Sequence, residues 1–402
     1  MNAIILSPRF PLIVAILLIA SCTRPATSLE TTTFLRTTDT KSAVVLQETS
    51  ITHTAKPTDK IDQSQKVNTD AALNSTPHSQ KKAETQKIEP NSNEYPVVYI
   101  PLAGPISMSD SELSGLAWYE ENLILLPQYP SRFATGQEGT IFALPKADLL
   151  TYLDGEKTEP LTPIEIPFIT NGLDKRIKGF EGYEAIVFSG QKVFLTIEAK
   201  PNGMLGYLVS GTITPNLSKI HLNTGHMAEI PPQADLANIS DEALIIFGNR
   251  IISIYEANGL NINPSPVANL FNLGLHPLEQ FAFPNIEYRI TDVTAPDSSG
   301  RFWGINYYYP GDTKLLPAID PLGEEYGQGT THSQSATTER LVEFQFGYEG
   351  IVFSETPPIQ LELDDEDNAR NWEGIVRLDD RGFLLATDKF PETILAFLEF
   401  HQ

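Results

Sequence analysis

One pattern recurs five times in the C-terminal three-quarters of the chain, and it limits the accessible folds more than any other feature. Each copy reads polar residue, short apolar run, turn, second apolar run, polar residue. The copies are Ser114–Gln128 (SGLAWYEENLILLPQ), Glu184–Glu198 (EAIVFSGQKVFLTIE), Glu242–Glu256 (EALIIFGNRIISIYE), Asp292–Asn306 (DVTAPDSSGRFWGIN) and Glu373–Asp388 (EGIVRLDDRGFLLATD). The polar ends stand 14, 14, 14, 14 and 15 residues apart, and each turn carries Gly, Asn or Asp, as tight hairpins require. A hairpin of fixed length at repeated intervals is the mark of a repeat architecture.

The copies begin 70, 58, 50 and 81 residues apart, room for two further strands each time. Candidates are Gly139–Leu144 with Ile164–Phe168, Leu205–Thr214 with Lys219–Asn223, and Arg340–Phe346 with Pro358–Leu363. After the fifth hairpin only Thr393–Phe400 remains, so Pro96–Leu102, ahead of the first hairpin, is expected to supply the missing outer strand. A ring closed in this way leaves no open sheet edge. The fold expected is therefore all-β, a β-propeller of five blades over residues 96–402; a sixth would fit only if the 81-residue interval held one. A β-sandwich with long insertions is the alternative, but it gives no reason for the unit to recur. Lys146–Leu153 is the one segment with helical character.

Charge divides the chain at Tyr95. Residues 1–95 hold 10 basic and 9 acidic residues and no glycine; residues 96–402 hold 18 basic and 42 acidic, and all 26 glycines. Such an acidic region repels a phosphate backbone, so nucleic acid is not an expected partner. A single Cys excludes a disulfide framework and a Cys-based zinc site.

That cysteine is Cys22. It follows Arg9, an apolar run from Pro11 to Ala20 too short to span a bilayer comfortably, and Ile19-Ala20-Ser21. This arrangement resembles the lipobox of bacterial lipoproteins, in which the signal peptide, here 1–21, is removed and the Cys is lipidated. The resemblance implies an exported protein held to a membrane at Cys22, and Thr23 in place of Asp favours the outer membrane. An ordinary signal peptide or a short membrane anchor is the plainer alternative. Residues 22–95, rich in Thr, Ser, Lys and Gln, are expected to form a flexible tether, because they cannot bury enough apolar surface to offset ordering. As a random coil they would reach roughly 45–50 Å.

In a propeller the innermost hairpin of each blade lines the channel, so the two polar ends of every unit should meet at one mouth. They are Ser114 and Gln128, Glu184 and Glu198, Glu242 and Glu256, Asp292 and Asn306, Glu373 and Asp388. Seven of the ten are carboxylates and none is basic. Like charges so arranged demand raised pKa values, nearby Arg or Lys, or a bound cation. Oxygen ligands of variable reach suit Ca²⁺ better than zinc or copper. Taken singly, each carboxylate could simply cap a strand. Arg132, Lys200 and Lys389 lie within four residues of a ring position on the same face. They either neutralise the ring or bind a phosphate or carboxylate beside the cation. The loop Pro310–Thr338, opened by Tyr307–Tyr309 and preceded by Trp303, could offer an aromatic contact surface or a lid.

The hairpins, above all Trp372-Glu373-Gly374-Ile375 with Ala386-Thr387-Asp388-Lys389, resemble the propellers called esterase-like activity of phytase and the calcium-binding SdiA-regulated propellers. Glu373 and Asp388 match best, then Glu184 and Glu198. Ser114, Gln128 and Asn306 depart from the pattern where acids would stand. The resemblance implies a cation, ligands at the seven carboxylates, and metal-assisted cleavage of a phosphate or carboxylic ester with Glu184 or Glu373 activating water. No nucleophile is identifiable from the residues, so a non-catalytic envelope module that binds Ca²⁺ and an envelope partner is the first expectation. The hydrolase of a small ester is the second. A five-bladed glycosidase, which also places carboxylates in its channel, is the third.

Overall fold

The computed structural model describes residues 94–364 and 369–401. The expected signal peptide, Cys22 and all but the last two residues of the tether lie outside the described residues.

Strands β1 (Glu94–Tyr95) and β2 (Val97–Tyr99) come first, followed by four groups that each begin with a long hairpin. The first group is β3 (Leu113–Tyr119), β4 (Asn122–Pro127), β5 (Gly139–Pro145) and β6 (Ile164–Ile169). The second is β7 (Phe180–Ser189), β8 (Lys192–Ala199), β9 (Leu205–Ile213) and β10 (Ile220–Ile230). The third is β11 (Asp241–Phe247), β12 (Arg250–Tyr255), β13 (Val267–Asn272) and β14 (Phe281–Ala282). The fourth is β15 (Arg289–Val293), β16 (Arg301–Tyr308), β17 (Thr338–Phe346), β18 (Ile351–Phe353) and β19 (Ile359–Leu361). A last group, β20 (Trp372–Leu378), β21 (Gly382–Thr387) and β22 (Leu395–Glu399), is completed by β2, which pairs antiparallel with β22 through Val97↔Leu398 and Tyr99↔Ala396. The expected closure by the segment ahead of the first hairpin is therefore what the chain does. Glu94 and Tyr95, assigned to the tether from sequence, instead extend the fourth sheet as β1, parallel to β19.

The inner strands touch in cyclic order, β3 to β7, β7 to β11, β11 to β15, β15 to β20 and β20 back to β3. This is a β-propeller arrangement. The 81-residue interval is filled by β16 to β19 and the long loop between β16 and β17. The first two sheets are also joined at their outer edges, where β6 and β10 pair in parallel.

Each inner strand lies with one face toward each neighbouring sheet, so adjacent residues fall in different apolar clusters. Leu116 and Ala117 do so in β3, as do Ala185 and Ile186 in β7. Strands buried on both faces read as continuous apolar runs, which is why LILL, VFLTI and ALIIF stand out in the sequence. The turns of the second and third hairpins rest on Gly190 (φ 57°) and Gly248 (φ 60°), a backbone region costly for other residues. Lys146–Leu153 is a helix, as its sequence implied.

Candidate functional site

A regular inner strand has no side chain to spare for the channel, because its residues point alternately to the two neighbouring sheets. The inner edge facing the axis is backbone. What brings side chains there is a register break that all five hairpins share. Pairing skips from Leu113 to Gly115, Tyr183 to Ile186, Asp241 to Ala243, Ile290 to Val293 and Trp372 to Gly374. The skipped residues include Ser114, Glu184, Glu242, Asp292 and Glu373, the first polar residue of every unit. A β-bulge re-aims the extra side chain and increases local twist. The second polar residue sits across from the position two before the first in each unit, as in Gln128 N to Glu112 O, Glu198↔Gly182, Glu256 N to Ser240 O, Asn306↔Ile290 and Asp388 N to Asn371 O.

A cavity of about 570 Å³ opens at this end of the ring, a size typical of small-ligand sites. Five ring carboxyls line it: Glu184, Glu198, Glu242, Glu373 and Asp388. The amides of Gln128, Asn238 and Asn371 and the rings of Tyr129, Tyr307, Tyr309 and Phe390 complete most of its wall. Gln128 Nε2 approaches both Glu184 oxygens, at 3.2 and 3.4 Å. Asn371 Nδ2 donates to Glu373 Oε1 at 2.5 Å.

Burial dominates the protonation of these groups. It pushes Glu184 well above the usual carboxyl range, and the Glu198 charge adds to it. Burial raises Glu198 itself to about 7. Glu373 is likewise pushed well up by burial and then by the Asp388 charge, while burial raises Asp388 only to about 6 because hydrogen bonds from Phe390 N and Asn371 and the Lys389 charge oppose it. Each of these two inner hairpins thus carries a pair of carboxyls that hold their protons with unequal strength.

Glu242 and Glu256 form a third pair. Burial, followed by the Glu256 charge, raises Glu242 well above its usual range. Glu256 is fully buried, and Arg289 Nη1 pairs with its Oε1. Its Oε2 has no hydrogen-bond partner as long as Glu242 is ionised. A proton on Glu242 supplies the donor, consistent with Glu242 as a hydrogen-bonding neighbour of Glu256. Arg289 also holds Asp312, at 2.8 Å from both Nε and Nη2, which draws the start of the long loop against the cavity.

Several residues singled out from sequence are elsewhere. Asp292 is not at the mouth: it is buried below it, with Oδ1 accepting from Val293 N at 2.8 Å and Oδ2 from Ile375 N at 2.9 Å. Ser114 is buried and donates to Tyr183 O at 2.6 Å. Asn306 donates to Glu287 O and Arg289 O and accepts from Arg340 Nε. These three join strands and do not face the cavity. Arg132 and Lys389 both pair with Glu112, a buried carboxylate outside the set of ring positions, at 2.9 and 2.6 Å. Of the two, only Lys389 also lines the cavity; Lys200 is exposed and off its wall. Trp303 offers no contact surface, being fully buried against Phe383 and Phe400. Among the described residues, no group of three or more His, Cys, Asp or Glu is arranged to hold a metal ion.

The residues missed from sequence are Arg289, Asn371, Asn238, Tyr129 and Glu112. A signal for Arg289 existed: it stands three residues ahead of a ring carboxylate, on the strand that enters the ring.

No family profile matches the chain, and no curated protein matches it. Solved structures with similarity include hydrazine synthase of Kuenenia stuttgartiensis (10% identity, 68% of this chain and 61% of that chain, TM-score 0.34). The soluble aldose sugar dehydrogenase of Escherichia coli is similar at 10% identity over 75% of this chain and 99% of that one, with a TM-score of 0.39. An α-L-arabinofuranosidase of Clostridium thermocellum is similar at 11% identity over 68% and 81%, with a TM-score of 0.40. Similarity at this level carries no inference about ligand or reaction.

Proposed function

We propose that the cavity binds a neutral, hydroxyl-rich ligand, a carbohydrate, and hydrolyses its glycosidic bond with Glu373 as acid and Asp388 as base. One observation carries this reading: Glu373 and Asp388 wall the same cavity while holding their protons unequally, Asp388 losing its own near pH 6. Acetal hydrolysis needs both forms at once. Glu373 gives its proton to the leaving oxygen as the bond to the anomeric carbon breaks. Water attacks that carbon and passes a proton to the Asp388 carboxylate. The sum is one water added across one C–O bond. Gln128, Asn238 and Asn371 offer the mixed donors and acceptors that hydroxyls require, and the tyrosines and Phe390 offer flat apolar faces.

The ester and phosphoester readings have weaker support. Two of the three cations meant for an anionic substrate are held by Glu112, and the third lies off the cavity wall. A divalent cation, Ca²⁺ first, is the second reading, favoured by five carboxyls facing one cavity. Glu184, Glu198, Glu242, Glu373 and Asp388 would be its ligands. Because they are not gathered as a ligand group, binding would require side chains to move and protons to leave. In that reading the protein is a binding or scaffold module for an envelope partner. Export, lipidation at Cys22 and an outer-membrane position belong to the proposal in either case.

The test is hydrolysis of a panel of aryl glycosides by the full chain. Wild type should cleave at least one, and Glu373→Gln and Asp388→Asn should each lower the rate by a hundredfold or more. A panel with no cleavage by wild type ends the hydrolase reading. The cation reading rests on a melting curve at pH 8 with EDTA and then Ca²⁺: saturation at about 100 times the dissociation constant adds about 2.7 kcal/mol, several degrees. An unchanged curve removes it. Membrane fractionation of Cys22→Ala tests the anchor, with release from the membrane expected.

A further inference from the structure

We infer that this cavity is blind and takes the end of a carbohydrate chain, not its middle; the inference rests on the carbohydrate reading above. The inner edges of the strands turn unpaired backbone N–H groups toward the axis, and such groups, when buried, need acceptors. Asp292 provides them. Its carboxyl, carried to the axis by the bulge in β15, accepts from Ile375 N of β20 and from Val293 N, and also engages the Leu116 N–H of β3. One side chain thereby ties three inner strands together directly under the ring of carboxyls. Beside it Thr291 Oγ1 donates to Trp372 O at 2.5 Å, and Ser114 Oγ to Tyr183 O at 2.6 Å, closing two more inter-strand gaps.

Adjacent inner strands also pack closely here, so no gap opens between them. A Cβ added at Gly374 would stand 2.7 Å from Leu116 Cγ and 3.3 Å from Leu116 N, and one at Gly115 would stand 3.2 Å from Glu184 O. With Asp292 spanning β15, β20 and β3, the axis is closed below the ring, and a ligand that enters must leave by the same mouth. An internal segment of a polymer would need two ways out.

The mouth itself continues sideways on one flank. Arg289 and Asp312, which line the cavity, also line a cleft of about 270 Å³ with Leu236, Ile239, Thr313 and Lys314. The terminal unit occupies the cavity with its glycosidic bond at Glu373 and Asp388, and the next unit runs past the Arg289–Asp312 pair into this cleft.

The test is saturation-transfer NMR with Glu373→Gln full-chain protein, which binds without turnover, and linear pentasaccharides of arabinose, xylose, glucose and mannose. The inference expects saturation concentrated on one terminal unit, at least threefold above the central unit, for whichever pentasaccharide binds. Cross-linked dyed polymers of the same sugars should release no dye with wild type. Even saturation along the chain, or dye release, overturns the blind-pocket inference and leaves the carbohydrate reading standing. No saturation from any saccharide overturns the carbohydrate reading, and the inference with it.

Discussion

Gln128 Nε2 lies 3.2 Å from Glu184 Oε1, joining the last residue of the first repeat to the first residue of the second across the gap between two sheets. The contact shows how the ring keeps a carboxyl at its centre: neighbouring amides, not cations, satisfy it. The amide donor favours the ionised form, but burial and the Glu198 charge outweigh it and hold the proton on Glu184.

Glu184→Gln should therefore be more stable than wild type above neutrality and equal to it in mild acid. A carboxyl raised by burial favours the folded state while both states are protonated and loses that advantage as pH climbs toward its folded value. The amide has no charge to desolvate. Calorimetry at pH 5 and pH 8 should show coincident melting temperatures at the first and a mutant several degrees higher at the second. Equal shifts at both pH values would mean that the Glu184 proton is not what is being measured.

The wild-type chain should be most stable near pH 5. Glu198 rises from the ordinary 4.5 to about 7 and Asp388 from 3.8 to about 6, so their contributions disappear as pH rises through those windows. Glu94 and Glu138 are held below the usual value by hydrogen bonds, against the burial that raises them, and their contributions disappear as pH falls instead. Urea midpoints from pH 3 to pH 9 should trace a maximum between the two. A midpoint rising steadily to pH 9 would contradict the assignment of protons in the ring.

Arg289→Gln should destabilise strongly. It leaves Glu256, which has no exposed surface, without its cation, and breaking one side of a buried ion pair costs about 3–5 kcal/mol. The loss should shrink toward pH 5, where Glu256 can take up a proton. It also frees Asp312, so amide hydrogen exchange around residues 309–315 should quicken even where the sheets remain protected.

Glu94→Ala should loosen the long loop with little effect on the ring. The Glu94 carboxylate accepts from Thr331 N, Thr331 Oγ1, His332 N and His332 Nδ1, all at 2.7–3.1 Å. Bonds to a charged acceptor contribute about 1.5–3 kcal/mol each when deleted singly. Limited proteolysis should cut between residues 313 and 337 at least tenfold faster, while the melting temperature moves by only a few degrees. Unchanged cleavage would show that Arg340, which grips Asp320 through both terminal guanidinium nitrogens at 2.7 and 2.9 Å, and the Arg289–Asp312 pair hold the loop without Glu94.

The repeat made the architecture legible before any coordinates. A hairpin of constant length, apolar on both faces and recurring with room for two more strands, has few uses other than a ring of small sheets. The one-strand shortage after Asp388 points to Pro96–Leu102 as its partner, and within that segment Val97–Tyr99 pairs with Leu395–Glu399. The polar ends were also marked by their spacing, and Glu184, Glu198, Glu242, Glu373 and Asp388 do share a cavity.

Depth and partnership were not legible, because both depend on groups far apart in sequence. Asp292 has the same place in its repeat as Glu373, yet its shorter side chain reaches the N–H of Ile375, 83 residues away, and becomes a buried tie between inner strands. Arg132 and Lys389 stand beside the ring in sequence but are claimed by Glu112, 20 and 277 residues distant. The bulges that turn the first polar residue of each unit to the axis are likewise a property of paired strands. Sequence by itself determined the sheets and the identity of the acidic set, since periodicity and turn chemistry are local. Which carboxyls face the cavity, which keep their protons and which serve as struts was decided by tertiary structure, because desolvation and hydrogen bonding depend on what the fold brings alongside.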